Sequence, residues 1–403
     1  MSVCDFTNFI DELCLFKLDT GHGALSWLVI AAEIVAFFVA FRLMNVAVSD
    51  YLDPCMQTLR ARMKLTPSMS QWFLAALVAC APDLLISIVL TINQQESRAV
   101  SRLFGYSWAL LLVLPAVTRV YARQDSEAEP LTSSTVVACL FFCMAFGALF
   151  WTLRDGEGTV SATESGVMLL LYGFFMATGS LLDATFPDLQ ETTQLAIVEM
   201  QQIQITEFGT QSTPFLLPEL AFETPVEVRS KPDWAQRVMS RFLLPCARGS
   251  RLERFFLVGL VLAYFWIFFI SLVLDAVTTR FMALFGASDR FVGSVILALA
   301  AIMPELVRAI DKGERVDLSR SELTRVNFKI LVSLALPWLF KAWITGRDVL
   351  VAGSAISSTL GSLLTVAALG VSLLARRVTS KQKAVRILLG CYVVFVSTYA
   401  LVI

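Results

Sequence analysis

Asp83 and Glu305 are the residues of this sequence best placed to do chemistry, because each follows a proline inside a long apolar run, CAPDLLIS in one case and IMPELVRA in the other. A carboxylate at the centre of a bilayer costs about 2.5–3.5 kcal/mol on insertion scales, so it needs a partner or a water-filled cavity. Proline removes one backbone donor and clashes with the preceding turn, which frees carbonyls that can face a cation. Two acids beside loosened carbonyls make a hard oxygen site of the kind Ca2+ prefers. The plain alternative is a proline kink with a snorkelled or protonated acid.

Other ionisable groups in apolar runs carry weaker signals. Arg42, Asp275, Arg308 and Lys341 stand close enough to run ends to snorkel, and Glu33, about two turns inside the first run, is a lesser ligand or proton-carrier candidate. The single histidine, His22, and the eight cysteines lack metal-ligand spacing, which argues against zinc or a His-based nucleophile relay. Cys4 and Cys14 are compatible with a disulfide in an oxidising lumen or with two free thiols. Cys139 and Cys143, four apart, fall on one helix face and read as small buried side chains.

These groups must be positioned by a membrane protein. Of 403 residues 57% are hydrophobic and 16% charged, and the mean hydropathy of +0.70 is far above that of a domain with a wetted surface. The net charge is -1 and the basic residues form short clusters between apolar runs, so nucleic acid drops out as a partner. The first 25 residues hold Asp5, Asp11, Glu12 and Asp19 against Lys17, without the basic start of a cleaved signal or transit peptide.

Ten apolar runs approach the roughly 20 residues needed to cross hydrocarbon. They cover 26–48, 69–92, 103–121, 133–153 and 162–183, then 255–278, 290–310, 325–345, 350–375 and 384–402. The implied division is an N-terminal segment 1–25, a five-helix unit 26–183, a solvated hinge loop 184–254 with a helical stretch expected at 194–206, and a second unit 255–403. From Asp183 to Val228 the hinge is acidic, and its Arg- and Lys-rich end abuts the sixth run. The positive-inside rule puts that end, and the basic 376–386 connection, on the cytoplasmic or matrix side with both termini opposite.

A shift of 222 residues, the separation of Pro82 and Pro304, lays LTPSMSQWFLAALVACAPDLLISI over ASDRFVGSVILALAAIMPELVRAI. Pro82, Leu84 and Ile88 fall on Pro304, Leu306 and Ile310, and Asp83 falls on Glu305. Five helices per unit is an odd number, so the second copy enters from the opposite face. The expected fold class is therefore an all-α polytopic membrane protein of two inverted repeats, with a site at the repeat interface near the midplane.

At these residues the chain resembles the cation/calcium exchanger superfamily, near its potassium-dependent and mitochondrial-type sodium/calcium/lithium branches. DYLDPCMQTLRARMKLTPSMSQ is similar to the family's approach to its first repeat, and APDLLIS to that repeat's acid motif, with Asp83 and Ser87 at the acid and hydroxyl positions. MPELVRAIDKGE and VNFKILVSLALPW resemble the second acid motif and the helix that follows. The resemblance implies Ca2+ exchanged for Na+, with K+ or Li+ as further candidates, and no cofactor. It implies a site on helices two, three, seven and eight, with helices one and six sliding against the rest. It also implies a non-enzymatic transporter in a bilayer, the mitochondrial inner membrane or another endomembrane being options. Carried over residue by residue, the cation ligands are Asp83, Glu305, Asn327, Ser87 and Ser107.

The sequence departs from the family around those positions. Val78, Ala79 and Cys80 precede Asp83 where hydroxyl or glycine residues are usual, and Leu110 falls where an asparagine would. Arg325-Val326 replaces a glycine-serine, and Lys329 or Ile330 takes the place of a ligand acid. Two positions are open to Lys329: in the cavity as a tethered replacement for one cation, or at a water interface beside Glu322 or Glu314. Three functions follow from this: a Ca2+/Na+ antiporter, a cation/proton exchanger on the same acids, and a transport-inactive structural or regulatory relative.

Overall fold

Inside a bilayer every backbone polar group must be satisfied within its own segment, and helices do so. The computed structural model of the protein describes residues 24–63, 75–121, 133–155, 158–185, 234–242, 256–285, 288–312, 320–351, 355–378 and 380–401. The N-terminal segment with Cys4, Cys14 and His22, and the stretch expected to be helical at 194–206, lie outside these residues.

In α1, Ala24–Val46 runs on through a π-helical stretch Ala47–Leu52 into Asp53–Met63. Ala75–Ile92 is α2, and α3 joins Glu96–Trp108, π-helical Ala109–Val113 and Leu114–Tyr121. Ser133–Asp155 is α4 and Ala162–Thr185 is α5. In the second half α6 is Phe256–Phe285, and α7 joins Asp289–Phe291, π-helical Val292–Leu297 and Ala298–Lys312. Arg320–Phe328, π-helical Lys329–Leu334 and Ala335–Thr345 form α8, followed by α9, Ala355–Arg376, and α10, Lys381–Leu401. Seven of these contain windows long and apolar enough to cross a membrane, while the apolar cores of α2 and α7 are shorter.

Two helices begin five or more residues earlier than hydropathy predicts. α3 starts at Glu96 rather than 103, because Glu96, Arg98 and Arg102 are all buried and each meets an opposite charge. α8 starts at Arg320 rather than 325. At the other end of the scale, α1 continues well past 48, where Tyr51, Leu52, Cys55 and Met56 are buried against neighbouring helices. In the hinge, the short helix Trp234–Met239 buries Ala235 and Met239, and Gln236 donates from Nε2 to Asp50 Oδ2 at 2.9 Å.

Among the described residues, three of the four π-helical stretches end two or three residues before a proline, Pro54, Pro115 or Pro337. A proline leaves an upstream carbonyl without its donor, and a widened turn absorbs the mismatch. The 222-residue shift relates Leu114-Pro115 of α3 to Leu336-Pro337 of α8, so the repeat extends from the acid-bearing helix through the next one.

The most enclosed element is α3. Almost all its residues from Glu96 to Trp108 are buried, with Phe104 and Trp108 stacked at a centroid distance of 6.3 Å and Trp108 edge-on to Tyr399 of α10 at 5.3 Å. The outer ring faces lipid: Leu170 of α5, Val261 of α6, and Trp343 and Ile344 of α8 are strongly exposed. Cys143 is also exposed and Cys139 half-buried, which corrects the expectation that both are buried.

Contacts between helix ends agree with strict alternation across the bilayer. β1, Thr159–Val160, pairs antiparallel with β2, Val349–Leu350, so the α4–α5 and α8–α9 connections lie on one face. Asn93 in the α2–α3 turn donates to Asp275 near the end of α6 at 2.7 Å, on the same face.

The crossing of α3 over α7 depends on two glycines. A Cβ on Gly105 would lie 1.9 Å from the Ser294 carbonyl oxygen, and one on Gly293 would lie 2.9 Å from the Arg98 carbonyl oxygen. Small residues at such crossings let backbones touch. Gly105→Ala is expected to lower the thermal midpoint of the purified protein in detergent or to prevent folding, since overpacking costs about 1–3 kcal/mol. Gly147→Ala, where an added Cβ meets nothing within 4 Å, is expected to leave it unchanged. Equal midpoints for the two variants would contradict this crossing.

Candidate cation site

Three helices deliver the polar groups around Asp83. α2 presents Asp83 and Ser87, four apart on one face, and α3 presents Arg102 and Tyr106 by the same spacing. Lys329 opens the π-helical stretch of α8, which also carries Ser333.

Asp83 is gripped by two cations. Its Oδ1 accepts from the Arg102 guanidinium, and its Oδ2 lies 2.8 Å from Lys329 Nζ. The same ammonium sits 2.9 Å from the centroid of the Tyr106 ring. Lys329 is 5% exposed, which removes the water-interface option for it; Glu314 lies outside the described residues. Beside this pair is a cavity of about 20 Å³, lined by Asp83, Ser87, Arg102, Tyr106, Lys329 and Ser333 among others. That is room for about one water molecule.

Glu305 has its own base. Arg325 donates from NH1 to Glu305 Oε1 at 2.6 Å, and the Tyr106 hydroxyl approaches the same oxygen at 3.4 Å. Tyr106 therefore links the two halves, its ring beneath Lys329 and its hydroxyl on Glu305. Cys80 Sγ, three residues before Asp83, contacts the Arg325 carbonyl oxygen at 3.6 Å. Two acids and three bases give this cluster a formal charge of +1.

The other expected ligands are placed as follows. Ser87 lines the cavity with Asp83. Ser107 is fully buried and donates to the Leu103 carbonyl of its own helix at 2.8 Å, outside the cavity lining. Asn327 is fully buried and donates to the Ala138 carbonyl of α4 at 3.3 Å, also away from the cavity; its Oδ1 has no hydrogen-bond partner among the described residues.

Two groups read as snorkelling, Asp275 and Lys341, are instead paired with neighbouring helices, as is the lesser ligand candidate Glu33. Asp275 accepts from Arg98 at 2.8 Å, with Arg98 only 1% exposed, and Lys341 donates to the Thr91 carbonyl at 3.0 Å and to Glu96. Glu33 lies 3.3 Å from Arg280.

Sequence reasoning missed Arg102 and Tyr106, and it read Arg325 only as a lost glycine. The signal was present in the spacing, because Arg102 follows Asp83 by 19 residues and Arg325 follows Glu305 by 20. Each repeat repeats an acid on its second helix and an arginine on its third.

The sodium/calcium exchanger protein profile matches residues 33–180 and 255–403, both five-helix units with the hinge left out. The chain belongs to the sodium/calcium exchanger protein family. It is a multi-pass integral membrane protein of that family's fold. A crystal structure of the H+/Ca2+ exchanger CAX is similar at a TM-score of 0.57 and 13% identity, covering 94% of this chain and 89% of that one. Native YfkE is similar at 0.50 and 13%, covering 91% and 92%. The sodium-calcium exchanger NCX_Mj reaches 0.47 and 11%, covering 91% and 98%. For CAX and YfkE, at 13% identity, the likeness is one of fold. No curated protein matches the chain.

Asp83→Asn leaves Arg102 and Lys329 buried without their carboxylate, and breaking a buried pair in this way costs about 3–5 kcal/mol. Its thermal midpoint is expected to fall further than that of Arg102→Gln, in which Lys329 still neutralises Asp83. Adding Lys329→Met to Asp83→Asn is expected to recover part of the loss. An Asp83→Asn protein as stable as the natural one would show that these pairs do not form.

Proposed function

We propose that this protein is a cation antiporter that moves Ca2+ across its membrane by alternating access at Asp83 and Glu305, with the proton as counter-ion in place of Na+. The 2.8 Å contact between Lys329 Nζ and Asp83 Oδ2 carries this reading. A carboxylate that trades cations within hydrocarbon needs positive charge beside it when its cargo has left, and here Arg102 and Lys329 supply it from within the chain. A divalent ion arriving at Asp83 displaces the ammonium. A lysine ammonium can give up a proton, whereas the guanidinium groups of Arg102 and Arg325 stay charged. Ca2+ entering therefore sends a proton out, and Ca2+ leaving takes one back. Ser87 and Ser333 stand on the same cavity as neutral oxygen donors. Membership of a family of exchangers supports cation exchange as the class of activity.

The formal +1 of the cluster, with Ser107 and Asn327 directed elsewhere, favours a second reading: the fold is kept as a structural or regulatory membrane subunit without transport. One assay separates the two. Protein reconstituted in vesicles with an acidic lumen and a neutral exterior is expected to accumulate radiolabelled Ca2+, and Asp83→Asn to abolish that uptake. Accumulation that follows a Na+ gradient and ignores the pH step would return Na+ as the counter-ion. Uptake no greater than in protein-free vesicles under either gradient would establish the non-transporting reading.

A further inference from the structure

The two repeats treat their acids alike up to one residue. Asp83 meets Arg102 from the third helix of its own repeat, and Glu305 meets Arg325 from the third helix of its own. Lys329 breaks this pattern, because it reaches from α8 of the second repeat to Asp83 on α2 of the first. The 222-residue shift that superposes Pro82 on Pro304 and Pro115 on Pro337 places Lys329 over Ser107. One repeat thus has a hydroxyl where the other has an ammonium.

The surroundings of that ammonium are those of a bound cation. It has a carboxylate oxygen at 2.8 Å and an aromatic face at 2.9 Å, and it shares its cavity with the hydroxyls of Ser87 and Ser333. Ser333 Oγ is buried and has no hydrogen-bond partner among the described residues. Carboxylate and hydroxyl oxygens suit hard cations, and a ring face attracts any small cation.

We infer that Lys329 fills a monovalent-cation site, so that the natural protein needs no Na+, K+ or Li+ there, and that removing its amino group opens the site to such an ion. The inference rests on the cation-exchanger reading but concerns binding rather than flux. Without Lys329 the cluster of two acids and two arginines is formally neutral, and one monovalent cation restores the +1 that the natural protein carries in its cargo-free state. Space is provided by the lysine stem, whose truncation enlarges a cavity already near one water in volume.

The test is thermal unfolding of the full-length protein in detergent, in NaCl, KCl or LiCl against choline chloride at equal ionic strength. The natural protein and Lys329→Arg are expected to unfold at the same midpoint in all four salts. Lys329→Ala, and Lys329→Ser, which restores the residue of the first repeat, are expected to gain on the order of 1–2 °C at a cation concentration about tenfold above half-saturation. A variant recovered folded only when one of the three ions is present also supports the site. Variants with the same midpoint in every salt, variants that fold in none, or a natural protein that responds as strongly as they do would each overturn it. A saturable cation response alongside negative vesicle transport would remove the antiporter reading and leave this site standing.

Discussion

A carboxylate held in hydrocarbon must be neutralised, and in this protein the neutralising charges belong to the chain itself. Arg102 and Lys329 serve Asp83, Arg325 serves Glu305, Arg98 serves Asp275, Lys341 serves Glu96 and Arg280 serves Glu33. Each of these pairs joins two different helices. They pin α3 to α2 and α6, α8 to α2, α3 and α7, and α6 to α1, so the charge balance and the helix arrangement are one constraint. Relaxing any pair without moving a helix would leave a bare charge in the bundle.

Duplication explains why the cluster has its form, and divergence explains what it can do. Both repeats keep a proline-acid step, an arginine 19 or 20 residues on in the next helix, and a Leu-Pro preceded by a widened turn. Had the two remained alike, the acids would each be balanced by one guanidinium and the cluster would be neutral. Lys329 adds a third cation that crosses the repeat interface, and Tyr106 carries its ring face while touching Glu305. Any ion reaching Asp83 must compete with groups already in place, so the exchange proposed here is a displacement rather than the filling of an open cage.

Much of this was legible in the sequence, for identifiable reasons. Twenty-residue apolar runs cannot be mistaken for loops, so ten helices and the odd-numbered repeat follow from hydropathy, and the proline-acid coincidence marks Asp83 and Glu305. Hydropathy failed at the start of α3, where Glu96, Arg98 and Arg102 read as solvent-facing because their partners lie as much as 245 residues away. The same blindness made Asp275 and Lys341 look like snorkelling ends. Ser107 and Asn327 show the opposite limit: motif position selects them as ligands, but rotation about the helix axis turns one to its own backbone and the other to α4. The contact of Gly105 with the Ser294 backbone had no sequence signal beyond a glycine in a helix.

A protein whose acids are held by its own bases can act as an exchanger only if cargo can displace those bases, and in the proposed cycle Lys329 is the base whose displacement links two ions. The most direct measurement is an experimental structure of the protein determined twice in Na+-free buffer, with Ca2+ chelated and with Ca2+ at saturating concentration. The account predicts Lys329 Nζ on Asp83 in the first, and in the second an ion against Asp83 with the lysine turned away. Lys329 remaining on Asp83 in both, with no ion between Asp83 and Glu305, would contradict it.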